Sequence, residues 1–159
     1  MANTQSMCTS FLGELLSATH NFSSANPAQT ASTANTFKAA LYLASATINA
    51  STTAYTVTGE VTGTGYTAGG VTVTNATNPT SANSSITAGV GYWTPSASIT
   101  YSTVTLSTAF DTMLLYNSTQ TNKAVAVYTF GSQTITAGNF TLTMPSNSTT
   151  TALVRLSTT

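Results

Sequence analysis

The side chains that could bind a metal ion are few and lie far apart along the chain. They are Cys8, Glu14, His20, Glu60 and Asp111. A metal site usually joins several histidine, cysteine or carboxylate ligands at short spacings, and no such spacing occurs here. His20 is interpreted as the cap of an N-terminal helix or as a surface residue. The sequence therefore predicts neither a metal site nor a bound cofactor.

Nucleophilic and acid–base catalysis also lack a recognisable arrangement. A hydrolytic triad would have to combine His20 with Asp111 or a glutamate and a serine, and no Gly-x-Ser-x-Gly turn is present. A paired-carboxylate mechanism would need two of Glu14, Glu60 and Asp111 to converge. Their spacing gives no reason to expect this. We therefore expect a protein without enzymatic activity.

The scarcity of charge limits the partners that the protein can bind. Three residues are Lys or Arg and three are Asp or Glu among 159, and the formal net charge is zero. Nucleic-acid binding depends on cations that neutralise phosphates, and Lys38, Lys123 and Arg155 are few and widely spaced. We therefore expect no direct contact with nucleic acid, and a surface of hydroxyl and amide groups.

The sequence gives no indication of a membrane span or of export. A transmembrane helix needs about 20 consecutive apolar residues, and the most apolar stretches, residues 37–46 and 123–130, are shorter. Residues 1–7 lack the basic start and apolar run of a secretory signal. The single cysteine, Cys8, cannot form an internal disulfide. We expect no membrane contact, and synthesis in a reducing cytoplasm.

The pattern of apolar residues divides the chain into three regions. Residues 1–22 are predicted to form an N-terminal arm with an amphipathic helix over residues 6–22, residues 23–36 a polar linker loop, and residues 37–159 a β-sandwich domain. The apolar stripe of the helix contains Phe11, Leu12, Leu15 and Leu16. A helix of this length is not stable alone. The stripe must therefore pack against its own domain or dock on a partner.

The domain is predicted to consist of seven to nine short strands. Alternating apolar and hydroxyl residues indicate half-buried strands, whereas residues 123–130 are apolar on both faces and are the best candidate for the middle of a sheet. Many strands and one short N-terminal α-helix favour an all-β fold, an antiparallel β-sandwich with jelly-roll or immunoglobulin-like connections. The main strands are predicted at residues 37–46, 71–74, 99–106, 112–116, 123–130, 140–144 and 152–156, with breaks at 117–122, 131–133 and 145–151.

Two irregular regions are candidates for contact surfaces, because loops on a rigid scaffold often carry binding residues. Residues 59–70 contain five glycines and Tyr66, and they form either such a surface or a shaped turn. Residues 75–91 form a polar loop that precedes Tyr92 and Trp93. These two aromatic side chains could anchor a partner, or Trp93 could cap the core instead.

Several short motifs spread over most of the chain can be read together. They are Met-Ala-Asn-Thr-Gln-Ser-Met-Cys at residues 1–8, Ser-Phe-x-x-Glu-Leu-Leu at 10–16, Thr-Phe-Lys-Ala-Ala-Leu-Tyr at 36–42, Thr-Gly-Thr-Gly-Tyr-Thr-Ala-Gly-Gly at 62–70, Leu-Tyr-Asn at 115–117, Lys-Ala-Val-Ala-Val at 123–127 and Phe-Gly at 130–131. This set resembles a family of small structural proteins encoded by tailed bacteriophages, and segment 62–70 is its most specific part. The resemblance implies a non-enzymatic virion component with a β-sandwich domain.

Within that family, the resemblance favours a capsid decoration or cement protein. We therefore expect a homo-oligomer on the capsid surface of the virion, made in the host bacterial cytoplasm, with the major capsid protein and copies of itself as partners. Two alternatives stay open. The first is a tail, collar or fibre component of the virion. The second is a carbohydrate-binding adhesive module that uses Tyr66, Tyr92 and Trp93 as stacking surfaces.

Overall fold

The computed structural model describes residues 2–23, 34–75, 77–82 and 89–158. In these residues the chain forms eight strands and one short helix. The elements are β1 (Ser6–Met7), α1 (Thr9–Leu16), β2 (Phe37–Leu43), β3 (Val71–Thr72), β4 (Thr80–Ala82), β5 (Val90–Trp93), β6 (Ile99–Asn117), β7 (Lys123–Leu142) and β8 (Val154–Ser157).

The strands form two antiparallel sheets that share one core. The larger sheet has the order β1-β7-β6-β2-β3 and the smaller one the order β4-β5-β8. Trp93 of the smaller sheet packs against Phe37 of the larger sheet and against Phe22 of the N-terminal arm. The predicted all-β, antiparallel, sandwich-like fold with one short helix is therefore confirmed.

The larger sheet is built on one long hairpin, in which β6 has 19 residues and β7 has 20. The predicted break at residues 131–133 is wrong, because this stretch continues as part of β7 and pairs with β6. The pairing of β6 with β7 shifts in register at several positions. Near these shifts Thr103 and Ala137 adopt positive φ angles of 52° and 47°. Such bulges keep two strands paired where their residue counts differ.

The predicted middle strand, residues 123–130, lies one position away from the middle of the sheet. β7 is flanked by β1 at Ala126 and Val127 and by β6 along its length. The middle strand is β6, which pairs with both β2 and β7. Both strands have buried residues on both faces in this region, so an apolar pattern on two faces identifies an interior strand and not its position.

The helix is shorter than the sequence predicts. Residues 6 and 7 pair with β7, and the Cys8 N–H continues this ladder to the carbonyl of Val125. The helix ends in a Schellman motif, in which Ala18 has a φ of 55° and the Thr19 N–H reaches back to the Glu14 carbonyl. The predicted helix over residues 6–22 is therefore wrong at both ends. Among the described residues, no helix has the length and apolar character to span a membrane.

The glycine-rich residues 59–70 cover the outer edge of β2. The Leu43 N–H donates to the carbonyl of Gly59, and the Val61 N–H donates to that of Leu41. Gly70 has a φ of 69°, and a Cβ atom built on it would lie 1.7 Å from the carbonyl oxygen of Ala39. Only glycine allows this approach. Of the two interpretations of this region, the structure agrees with the shaped turn.

The other predicted loops are only partly described. Residues 24–33 of the predicted linker, and residues 76 and 83–88 of the polar region 75–91, lie outside the described residues. Within 75–91, Thr80–Ala82 forms β4 and pairs with β5. The prediction of a continuous loop there is wrong, because residues of weak strand propensity become a strand when a neighbouring strand supplies hydrogen bonds.

We expect Gly70→Ala to lower the free energy of unfolding by more than about 2 kcal/mol, because the added Cβ would overlap β2 and the backbone conformation disfavours alanine. Gly131→Ala is the matched control, since a Cβ at Gly131 meets nothing within 4 Å. Its effect should stay between zero and a stabilisation of about 1 kcal/mol. Urea denaturation measures both. Equal stability of the two variants would contradict the packing of this turn.

Candidate docking surface

A buried carboxylate organises the glycine-rich turn. Glu60 is 6% exposed, and its Oε1 atom accepts hydrogen bonds from the Tyr66 hydroxyl and the Gly69 N–H, each at 2.7 Å. Its Oε2 atom accepts one from the Tyr55 hydroxyl at 2.7 Å. A buried charge is tolerated only when hydrogen bonds replace its lost water. These three neutral donors supply that replacement and fix the turn.

Further tyrosine hydroxyls connect this turn to the larger sheet. The Tyr66 hydroxyl also accepts the Leu41 N–H at 3.0 Å, and the Tyr116 hydroxyl donates to the Gly69 carbonyl at 2.8 Å. Burial raises the pKa of Tyr116 to about 12, and it also raises the pKa of Tyr66 and Tyr55. All three phenols therefore stay protonated and act as donors. Tyr66 is half-buried, is held by these hydrogen bonds and stacks on Tyr101 of β6.

A second network joins the N-terminal arm to the long hairpin. His20 Nε2 lies 2.8 Å from Glu14 Oε2, and Lys123 Nζ lies 2.7 Å from Glu14 Oε1. Burial alone would raise the pKa of Glu14, but the hydrogen bonds from Lys123 and His20 lower it below its usual value. The interpretation of His20 as a cap or surface residue is wrong, because its side chain is fully buried.

The three carboxylates take part in separate networks. Asp111 Oδ1 accepts from Asn3 Nδ2 at 2.8 Å and from the Thr112 hydroxyl at 2.7 Å. His20 contacts Glu14 through one ring nitrogen and Asn117 through the other, so no serine hydroxyl occupies either position. Across the described residues, no group of three histidine, cysteine, aspartate or glutamate side chains could hold a metal ion.

Two of the predicted contact residues are buried. Trp93 is 2% exposed, and its Nε1–H donates to Asn75 Oδ1 and to the Thr77 carbonyl. Phe11 is completely buried against His20 and Phe22. Neither side chain can contact a partner directly, since both fill the core between the arm and the sheets. The alternative interpretation of Trp93 as a cap on the core agrees with the structure.

The other helix residues form an exposed apolar face. Leu16 is 93% exposed and Leu12 is 48% exposed, and side chains four residues apart on a helix lie next to each other. We call these two side chains the leucine face. Leu15 is half-buried and lines a neighbouring groove of about 440 Å³, together with Tyr92 and Leu156. Of the predicted contact residues, Leu12, Leu15, Leu16, Tyr66 and Tyr92 keep accessible surface, whereas Phe11 and Trp93 do not.

We expect Tyr66→Phe to lower the free energy of unfolding by about 2–3 kcal/mol, because it removes a donor from Glu60 and an acceptor from the Leu41 N–H. Tyr92→Phe, at a half-exposed position of β5, is the control, and its effect should stay within about 0.5 kcal/mol. Chemical denaturation compares the two. If both substitutions had the same small effect, the Tyr66 hydroxyl would not hold the turn.

Comparisons with known proteins do not place the chain in a family. No family model, no curated protein and no solved structure matches it. Its function must therefore be inferred from its own residues and from the motif resemblance described above.

Proposed function

We propose that this protein is a structural component of a tailed-bacteriophage virion, a cement protein that binds and stabilises the assembled capsid. The leucine face is the observation that carries this proposal. Among the described residues four large apolar side chains are exposed, and Leu16 is the most exposed of them at 93%. Leu12 lies beside it on the same helix face, and a contiguous apolar patch on a polar surface supports a contact with another protein.

Most of the few charged side chains already have partners within the molecule. A contact with another protein would therefore be mainly apolar. Glu14 pairs with Lys123, and Glu60 is buried among neutral donors. The Arg155 guanidinium donates to the Thr150 carbonyl at 2.6 Å. Long-range electrostatic steering is weak for such a protein. Association would therefore depend on shape, apolar burial and hydrogen bonds, as suits a protein held at high local concentration on a lattice.

To stabilise the capsid, the protein needs only to bind the assembled shell more tightly than the separate subunits. A protein that binds the assembled form and not the separate subunits stabilises it by RT ln(1 + [L]/Kd) at each site. The partners are the major capsid protein and other copies of this chain, which would form a homo-oligomer on the capsid surface. Many weak contacts of the leucine face and its surroundings then add up to a large stabilisation of the container.

The direct experiment mixes the purified protein with undecorated heads and pellets the heads. We expect the protein to pellet at a fixed ratio to the major capsid protein and to raise the temperature at which the heads release their DNA. Purified tails serve as the comparison. Pelleting with tails but not with heads would replace this proposal by a tail, collar or fibre role. No binding to either particle would contradict a virion role.

We expect Leu16→Ser to weaken binding to heads by about 10-fold to 100-fold, because a leucine side chain contributes about 1.5–3 kcal/mol when it becomes buried. Val57→Ser is the matched control, since Val57 is 67% exposed and lies outside the helix. Its affinity should stay within about 2-fold of the unchanged protein. Binding isotherms from the pelleting assay measure both. An equal loss in the two variants would contradict a specific leucine face.

A further inference from the structure

The hydrogen bonds around His20 have a fixed direction, and Asn117 sets it. The Oδ1 atom of Asn117 accepts the N–H groups of Thr119 at 3.1 Å and Gln120 at 3.3 Å in the turn between β6 and β7. Its Nδ2 atom therefore points the other way, toward His20 Nδ1 at 3.1 Å and Asn35 Oδ1 at 2.8 Å. The Nδ2 group can only donate.

This direction determines the protonation state of the imidazole. His20 Nδ1 must be the acceptor of the Asn117 N–H, so the ring proton lies on Nε2 and is donated to Glu14. A second proton would have to be placed on Nδ1, where it would face the N–H of Asn117. Rotation of the Asn117 amide would relieve this clash only by breaking its bonds to Thr119, Gln120 and Asn35.

We propose that His20 is a pH-operated latch that holds residues 19–23, the arm segment, on the sheet. The neutral imidazole bridges Glu14 of α1 and Asn117 at the end of β6, and it keeps the latch closed. Protonation breaks the contact with Asn117 and opens the latch. The arm segment then separates from the turn between β6 and β7.

The charged groups near His20 do not reverse the effect of burial on its pKa. Glu14 on α1 and Lys123 on β7 are the two that act on it within the described residues, while Phe11, Phe22 and Phe37 pack around the ring. Burial, the largest effect, lowers the pKa of His20, whereas the hydrogen bond and charge of Glu14 raise it and Lys123 lowers it. The net pKa is below the ordinary value of 6.5.

The sign of the pH dependence follows from this lowered pKa. The unfolded chain binds the proton more readily than the closed latch does, so acid favours the open form. The contribution of neutral His20 to stability is complete above about pH 6.5 and is lost as the pH falls toward the lower pKa of the closed form. The closed latch is therefore most stable at neutral pH, and acid weakens it.

Opening would uncover the core between the arm and the smaller sheet. The Phe22 ring stacks on Phe37 with ring centres 4.4 Å apart and lies 4.8 Å from the Trp93 ring. Asn21 is tied to Asn35 by two hydrogen bonds, one through the Asn35 side chain and one between main chains. Because Asn35 also accepts from Asn117, the latch fixes both ends of the chain between residues 21 and 35.

The composition of the chain makes the test direct, since His20 is the only histidine and Trp93 the only tryptophan. The experiment follows the His20 ring by NMR and the Trp93 fluorescence between pH 8 and pH 4.5 in the full chain. We expect His20 to titrate below pH 6.5 and the Trp93 emission to shift to longer wavelength with the same midpoint. An ordinary His20 pKa, or protonation without any change at Trp93, would overturn the latch.

Two variants separate the latch from general acid unfolding. His20→Gln cannot take up a proton, so its Trp93 emission should stay constant over this range. Asn117→Asp places an acceptor opposite His20 Nδ1, and we expect a higher His20 pKa and loss of the Trp93 transition. A Trp93 transition that persists in His20→Gln, or an unchanged His20 pKa in Asn117→Asp, would overturn the proposal. If neither variant folds, agreement of the two midpoints in the unchanged protein decides.

Discussion

The turn that covers the outer side of β2 depends on one interaction, the burial of the Glu60 carboxylate among neutral donors. A carboxylate removed from water needs hydrogen bonds in place of its hydration, and Tyr55, Tyr66 and Gly69 provide them. Because Tyr66 and Gly69 belong to the turn over β2, the carboxylate fixes this turn along the part of β2 that β3 does not pair with. An open edge would offer unpaired main-chain groups to other chains. A chain with almost no surface charge has few other means of protecting that edge.

The second network applies the same principle to the N-terminal arm. Glu14, Lys123 and the buried His20 hold α1 against the long hairpin, so the outward side of the helix is presented in a fixed orientation. Phe11 faces the core while Leu12 and Leu16 face solvent. Glu14, His20 and Lys123 therefore serve to position the leucine face. This arrangement supports the proposed structural role in an assembled shell.

Local patterns in the sequence predicted part of this structure and not the rest. The pattern of apolar residues predicted the start of β2 and placed its end within three residues, and both faces of that strand are largely buried. The continuity of β7 through Gly131 was not predictable from alternation, since hydrogen bonds from β6 override a weak local propensity. The contact between His20 and Asn117 joins residues 97 positions apart, and no local signal marks it. Buried polar contacts of this kind depend on the fold as a whole.

The proposed role is tested most directly by a cryo-electron microscopy map of heads incubated with the purified protein. The map should show ordered copies on the outer surface of the shell, with the leucine face of α1 buried against the major capsid protein or a neighbouring copy. Copies whose helix α1 points to solvent would contradict the docking surface. A shell without added density at saturating protein would contradict the capsid role itself.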